Sequence, residues 1–190
     1  MRRSGSGRVD AVVFSTDDRQ IISGSNDGTL HLWDASSKSA RVVESYGHSA
    51  AIMTATFSRD GCQVVYGSYS DPMQRLWDIA TGVHREFEGH RRSVKALAIC
   101  PDGRHIVSGS EDRTLRLCEV SNCTSRVLEG HNGWVNDVAF SRYAVSGSED
   151  HTLRLWEVSS RASRVMNGHE GAVWAVAFFA RWLLRRLSLK

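Results

Sequence analysis

The sequence predicts an all-β protein built from a repeated unit, and three observations support this prediction. The segment SGSEDRTLRLCEVS at residues 108–121 recurs almost unchanged at residues 146–159 as SGSEDHTLRLWEVS. Gly-His dipeptides begin at residues 47, 89, 130 and 168, so the unit is about 40 residues long. Between these markers, short segments of alternating apolar and polar residues are separated by turn residues, which is typical of antiparallel strands.

The third unit shows the predicted elements most clearly. VKALAI from Val94 predicts a strand, PDG a turn, HIVSGS a second strand, ED a second turn and RTLRLC a third strand. Helical spacing of apolar residues appears only in the last dozen residues. We therefore expect a flexible N-terminus at residues 1–8, an array at residues 9–178 and an aberrant tail at residues 179–190. The expected repeats are 9–34, 47–78, 89–119, 130–157 and 168–178.

Composition excludes several classes of protein. With 41% hydrophobic and 24% charged residues, the chain of 190 residues is expected to be globular rather than disordered or fibrous. The net charge of +3 is small and the basic residues are scattered among acids, which argues against nucleic-acid binding. No run of about 18 apolar residues and no signal peptide is visible, so we expect neither a membrane span nor secretion.

The four cysteines, Cys62, Cys100, Cys118 and Cys123, contain no CxxC pair and have no paired histidine ligands beside them. This spacing argues against a zinc site and against a secreted disulfide framework. A reducing compartment follows, so we expect a cytoplasmic protein, with the nucleus as the alternative. The sequence suggests no cofactor and no metal.

These markers resemble the WD-repeat β-propeller family, in which each unit forms a four-stranded blade with Gly-His near its start and Trp-Asp near its end. Trp33-Asp34 and Trp77-Asp78 match that signature, while Cys118-Glu119 and Trp156-Glu157 are variants. The resemblance implies a partial array of about four blades plus a truncated fifth repeat. The motif SGSEDxTLRLW is most similar to the self-similar WD-repeat arrays of fungal NACHT-type signalling proteins.

The resemblance also implies a structural tetrad in each blade, in which the Gly-His histidine bonds a serine and, through it, the tryptophan indole. The set is complete once, as His131, Ser146, Asp150 and Trp156. The partial sets are His90, Ser108 and Asp112 with Cys118 in place of tryptophan; His48, Asp71 and Trp77 with Tyr66 in place of serine; and Ser23, Asp27 and Trp33 without a histidine. Cys118 is therefore expected to leave a small side chain in a large pocket, with a redox role as the alternative.

Serine, histidine and aspartate also form nucleophilic triads, so an enzyme is the competing interpretation. An active site is normally single, whereas these residue types recur in successive repeats, and GxSxG, HExxH and phosphate-loop motifs are missing from the sequence. We therefore expect no enzyme and no catalytic residues. The preferred function is a protein-protein interaction scaffold. A fragment of a longer array without independent activity is the alternative, and nucleic-acid binding is a weaker one.

Within the family, partners bind on the face where the loops surround the central channel. The residues expected there are Trp134, Asn136, Glu111, Glu149, Lys95, Arg92 and Trp174. Tryptophan and arginine most often anchor protein interfaces, although Trp134 packing on a neighbouring loop is the alternative.

The two ends of an open array should expose apolar side chains and invite self-association. We expect exposure at Val12 and Phe14 on the first blade and at Val173, Val176 and Phe178 on the last. The tail can be interpreted as the out-of-frame end of a fifth repeat, because a one-base shift of possible codons for residues 179–182 reads Ser-Pro-Asp-Gly. The alternative is a short basic amphipathic helix.

Overall fold

The computed structural model describes residues 7–45, 50–69, 71–87, 89–160 and 162–178, and these residues contain sixteen β-strands. The strands form four antiparallel sheets, each made of four consecutive strands in chain order. We call these sheets blades 1 to 4. This architecture confirms the all-β prediction and is that of a partial propeller.

The strands of blade 1 are β1 (Val9–Phe14), β2 (Gln20–Ser25), β3 (Thr29–Asp34) and β4 (Ala40–Ser45). Those of blade 2 are β5 (Ile52–Phe57), β6 (Gln63–Ser68), β7 (Gln74–Asp78) and β8 (His84–Phe87). Those of blade 3 are β9 (Val94–Ile99), β10 (His105–Ser110), β11 (Leu115–Glu119) and β12 (Ser125–Leu128). Those of blade 4 are β13 (Val135–Phe140), β14 (Ala144–Ser148), β15 (Leu153–Trp156) and β16 (Ser163–Met166). Among the described residues, no helix has the length and apolar character needed to cross a membrane.

The first strand of each blade is its inner strand, and neighbouring inner strands pack against each other in chain order. The inner strands of blades 2 to 4 each begin with a branched residue that sits against a glycine of the preceding blade. A Cβ built on Gly67 would lie 3.0 Å from Val94 Cβ, and one on Gly109 would lie 2.5 Å from Val135 Cγ1. Only glycine allows this close approach, so the same contact recurs at every junction between blades.

The core therefore lies between neighbouring blades. The first, fourth and sixth residues of an inner strand face the blade before it. In blade 2 these residues are Ile52, Ala55 and Phe57, whose exposed fractions are 0%, 5% and 7%. A single four-stranded sheet could not bury both of its faces, so stacking supplies the hydrophobic stabilisation.

Blade 1 shows what happens when that neighbour is missing. Val9, Val12 and Phe14 occupy the same three strand positions, yet they are 55%, 60% and 56% exposed. The predicted exposure of Val12 and Phe14 is therefore confirmed. The described residues leave this apolar face uncovered.

At the other end, the prediction of exposed apolar residues needs correction. Residues 172–178 are not assigned to a strand, but Val173 is only 7% exposed and Val176 is half-buried. A Cβ on Gly147 would lie 2.6 Å from Val173 Cγ1, so this segment continues the junction pattern and covers blade 4. Only Phe178 of the three remains exposed, at 39%.

Some predictions fall outside the described residues. They concern residues 1–6 of the N-terminus, His48 and the tail from residue 179 onward.

Candidate functional site

The structure brings His131, Asp150, Ser146 and Trp156 together at the start of blade 4. His131 Nδ1 lies 2.8 Å from Asp150 Oδ2, and His131 Nε2 lies 2.8 Å from Ser146 Oγ. The Trp156 indole N–H donates to Ser146 Oγ at 2.9 Å. This network ties the loop before the inner strand to the second and third strands, so it locks the blade to its connecting loop.

Burial and hydrogen bonding set the protonation of this network. Burial raises the pKa of Asp150, but hydrogen bonds from Thr152, the Asn132 N–H and His131 outweigh it and hold the pKa well below its usual range. Burial lowers the pKa of His131, and the hydrogen bond to Asp150 only partly opposes this shift. A neutral His131 donates a hydrogen bond from Nδ1 to Asp150, and its Nε2 accepts a hydrogen bond from the Ser146 hydroxyl.

Blade 3 repeats the polar part of the network without the indole. His90 Nδ1 lies 2.9 Å from Asp112 Oδ2, and His90 Nε2 lies 2.7 Å from Ser108 Oγ. Cys118 takes the tryptophan position and is fully buried. Burial raises the pKa of its thiol to about 12, so it stays protonated at neutral pH and is a poor nucleophile.

The surroundings of Cys118 differ from those of Trp156 in a compensating way. Phe87 occupies in blade 2 the position that Leu128 occupies in blade 3, since Phe87 pairs with Gln74 and Leu128 with Leu115. Phe87 and Cys118 belong to the same buried cluster, and Gln74 Oε1 lies 3.8 Å from the Cys118 thiol. The buried cluster around Cys118 thus holds a phenylalanine at the position where the cluster around Trp156 holds the smaller Leu128.

Blades 1 and 2 hold partial sets. The Trp33 indole donates to Ser23 Oγ at 2.8 Å, and Trp33 is 37% exposed against 2% for Trp156. Asp27 accepts from Thr29 within the turn, as Asp150 does from Thr152.

In blade 2, Trp77 is buried while Tyr66 takes the serine position, with its hydroxyl 3.3 Å from Glu44 Oε2 and from His84 Nδ1. Asp71 receives a hydrogen bond from Arg75 at 2.7 Å. The polar partners of this blade thus differ from those of blades 3 and 4.

The hydrogen bonds from Asp to His and from His to Ser match those of a nucleophilic triad. Burial distinguishes a catalytic role of these residues from a structural one. The side chains of His90 and His131 are 0% exposed, and Ser108 and Ser146 are fully buried. A nucleophile needs an open approach for the substrate carbonyl and a nearby pair of N–H donors. The same buried arrangement in two successive blades is that of a structural network.

The inner strands begin at one end of the blades, beside the turns that join the second and third strands of each blade, and we call this end the upper face. Backbone hydrogen bonds join the two features, from Glu111 N to Ser93 O at 3.2 Å and from Glu149 N to Trp134 O at 2.9 Å. The structure brings three of the seven predicted binding residues together here. Lys95 Nζ lies 5.0 Å from the centre of the Trp134 ring and 5.8 Å from that of Trp174. We call Lys95, Trp134 and Trp174 the upper-face cluster.

The other four predicted residues lie around this cluster with different exposure. Arg92 is exposed and Glu149 is half-buried. Asn136 and Glu111 are only 8% and 9% exposed, which corrects the expectation that they present side chains to a partner. Asn136 is buried because its amide donates to Val173 O at 3.2 Å, so it holds residues 172–178 against blade 4.

Sequence reasoning missed a second group at the opposite end of the blades. Ligand atoms of Cys100, Asp102 and His105 lie within 4.8 Å of one another in the turn between β9 and β10. The expectation of no zinc site rests on the lack of CxxC spacing, whereas these three residues form a C-x-D-x-x-H pattern across a tight turn. That pattern is the sequence signal that could have found the group.

Comparisons with known proteins agree with this architecture. Residues 2–34, 82–119 and 122–157 match the WD40 family, described as WD domain, G-beta repeat. The second repeat, residues 47–78, lies outside these matches, in keeping with its Tyr66, although blade 2 is the same four-stranded sheet as the others.

Curated relatives include the nuclear distribution protein PAC1 of Arthroderma otae, which is 31% identical over 144 residues, covering 68% of this chain and 31% of that protein. A guanine nucleotide-binding protein subunit beta of Nicotiana tabacum is 31% identical over 121 residues, covering 60% of this chain and 32% of that protein. The chain thus spans about a third of the length of the curated relatives it matches.

Two solved structures, titled "Structure of U3-55K" and "Crystal structure of RRP9 WD40 repeats", share the fold. Each superposes with a TM-score of 0.81 at 24% identity over 90% of this chain, covering 55% and 54% of the respective structures. The sheet order, the recurring buried networks and these matches lead to one conclusion: the chain belongs to the WD40 repeat family.

Proposed function

We propose that this chain is a non-catalytic scaffold that binds a partner protein through its upper-face cluster. The observation that carries the proposal is the position of the Lys95 amine over the rings of Trp134 and Trp174. These residues come from blade 3, from the loop before blade 4 and from the segment after blade 4. A surface built from three repeats is open to a partner that spans several blades.

The chemistry of the cluster supports protein binding. Trp174 is 64% exposed, and a large aromatic group beside a cation offers both apolar area and charge. Interface anchors are enriched in tryptophan and arginine, and the exposed Arg91 and Arg92 lie in the loop before β9. WD40 proteins are typically interaction scaffolds, and the burial of both Ser-His-Asp sets supports a role without catalysis.

Affinity capture from a cell extract tests the proposal when it compares matched variants. We expect Lys95→Glu and Trp174→Ala to lose specifically captured proteins, because both side chains are accessible and removing them alters the surface rather than the core. Lys38→Glu makes the same charge reversal at an exposed residue of blade 1 and should retain them. Equal capture by all variants, with circular dichroism showing that each is folded, would contradict the proposal.

The uncovered face of blade 1 supports a further part of the proposal, that this array contributes blades to a longer chain or to an oligomer. Apolar side chains as exposed as Val12 and Phe14 normally have a neighbour. From the sequence of the repeats, we also propose that this chain comes from a WD-repeat array of the fungal NACHT type, and that it is located in the cytoplasm. Transcript sequencing across both ends and microscopy of a tagged chain test these two points.

A further inference from the structure

The turns between the first and second strands lie at the end of the blades opposite the upper face, and three of them have the same backbone hydrogen bonding. Backbone hydrogen bonds close them at the same two positions, from Ser15 N to Gln20 O at 2.9 Å, from Ser58 N to Gln63 O at 2.8 Å, and from Cys100 N to His105 O at 2.8 Å. We call these segments, residues 15–20, 58–63 and 100–105, the lower turns. Because their backbones agree, their first, third and sixth side chains can be compared directly.

In blades 1 and 2 the lower turn is closed by neutral hydrogen-bonding groups around an aspartate. Ser15 Oγ donates to Asp17 Oδ1 at 2.7 Å, and Ser58 Oγ donates to Asp60 Oδ1 at 2.5 Å. Glutamine occupies the sixth position in both turns. The turn therefore directs its first and third side chains toward each other, whatever chemistry they carry.

In blade 3 the same positions hold a thiol, a carboxylate and an imidazole. The candidate ligand atoms of Cys100, Asp102 and His105 all lie within 4.8 Å of one another. Serine has become cysteine and glutamine has become histidine, while the aspartate is kept. Both changes replace a poor metal ligand by a good one, at the first position, whose side chain the turn directs toward the aspartate, and at the sixth position, which begins the next strand.

We propose that Cys100, Asp102 and His105 form a binding site for Zn²⁺ or a divalent cation with the same ligand preference. Thiolate, imidazole and carboxylate are the three ligand types that Zn²⁺ takes from proteins, and three such ligands leave one tetrahedral position for water. Bond lengths of about 2.0–2.3 Å place neighbouring ligand atoms of a tetrahedral site about 3.3–3.8 Å apart. Closing the cluster thus needs side-chain movements of about 1 Å, which the exposed Asp102 can supply.

Binding would displace one proton. The Cys100 thiol loses its proton to solvent as the sulfur–metal bond forms, and the metal replaces bound water by the three protein ligands. The site lies at the opposite end of the blades from the upper-face cluster, so a metal here would rigidify the lower turn of blade 3 without occupying the proposed partner surface. The two proposals can therefore fail independently.

Cobalt(II) is the probe, because a cobalt–thiolate bond gives a charge-transfer absorption that binding to histidine alone does not. The test titrates reduced, metal-free full-length chain with Co²⁺ and then displaces the cobalt with Zn²⁺, while equilibrium dialysis measures zinc stoichiometry. We expect one site per chain with the thiolate band. The double variant Cys100→Ser, His105→Gln restores the side chains of the first two lower turns, so it should fold normally and bind at least about tenfold more weakly, without the band.

Cys62→Ser is the matched control. Cys62 is an exposed cysteine in the lower turn of blade 2, two residues after Asp60. This variant should keep the affinity and the band of the parent chain. Lack of a thiolate band in the parent, its persistence in the double variant or its loss in Cys62→Ser would each overturn the proposal.

Discussion

Truncating Trp156 should cost far more stability than truncating Cys118, although the two residues occupy the same strand position. Trp156 is 2% exposed, and its indole donates to Ser146 at 2.9 Å beside the ring of His131. Replacing a buried tryptophan by alanine costs about 3–5 kcal/mol. The lost hydrogen bond contributes about 1 kcal/mol within that loss. Ser146 keeps His131 as a partner, so no buried hydroxyl is orphaned.

Cys118→Ala removes one sulfur atom and its 3.8 Å contact with Gln74. We expect a cost of about 1 kcal/mol, as for a small buried apolar group. Urea denaturation followed by circular dichroism should therefore separate the two variants by at least about 2 kcal/mol at an unchanged m-value. A cost for Trp156→Ala no larger than that for Cys118→Ala would refute the assigned network of blade 4.

Three further perturbations follow from the junctions and the buried networks. Cys118→Trp should destabilise by about 1–3 kcal/mol through overpacking, and adding Phe87→Leu should recover most of this loss in the same denaturation assay; stabilisation by Cys118→Trp alone would contradict the compensation. Gly109→Ala should lower the urea midpoint because its Cβ would lie 2.5 Å from Val135 Cγ1, whereas Gly171→Ala, where a Cβ would meet no described atom within 4 Å, should be neutral. Because burial lowers the pKa of folded His131, the unfolded chain binds more protons below pH about 6.5, so stability should fall as the pH drops through this value. His131→Gln should flatten this part of the curve of midpoint against pH, and an unchanged slope would count against a buried neutral histidine.

Much of the fold could be predicted because the same pattern of strand and turn residues recurs in each repeat. Alternating segments such as VKALAI, with turn residues between them, predict the strands from local chemistry alone, and the four-stranded blades follow from the family. The packing of residues 172–178 could not be predicted in this way. Whether Val173 is exposed depends on Gly147 of another strand, which is a contact between repeats rather than a property of the segment.

The candidate sites were less accessible to sequence reasoning. A pattern places Asn136 and Lys95 at equivalent strand positions, yet Asn136 is buried under Val173 while Lys95 reaches the two tryptophan rings. The environments of these two side chains differ because a different neighbour follows each blade. The lower-turn cluster could not be predicted for another reason, since its cysteine, aspartate and histidine do not have the paired C-x-x-C or H-x-x-x-H spacings that are typical of zinc sites.

The described residues form an open arc of blades in which the apolar face of blade 1 is uncovered, and the state of assembly of the chain tests this architecture most directly. Size-exclusion chromatography with light scattering should show a species larger than the 21.1 kDa monomer. The double variant Val12→Lys, Phe14→Lys should shift it toward the monomer, while Val42→Lys, at an exposed site on the outer strand of blade 1, should leave it unchanged. A monodisperse 21.1 kDa species that unfolds cooperatively would contradict the open arc and show that the chain closes by itself.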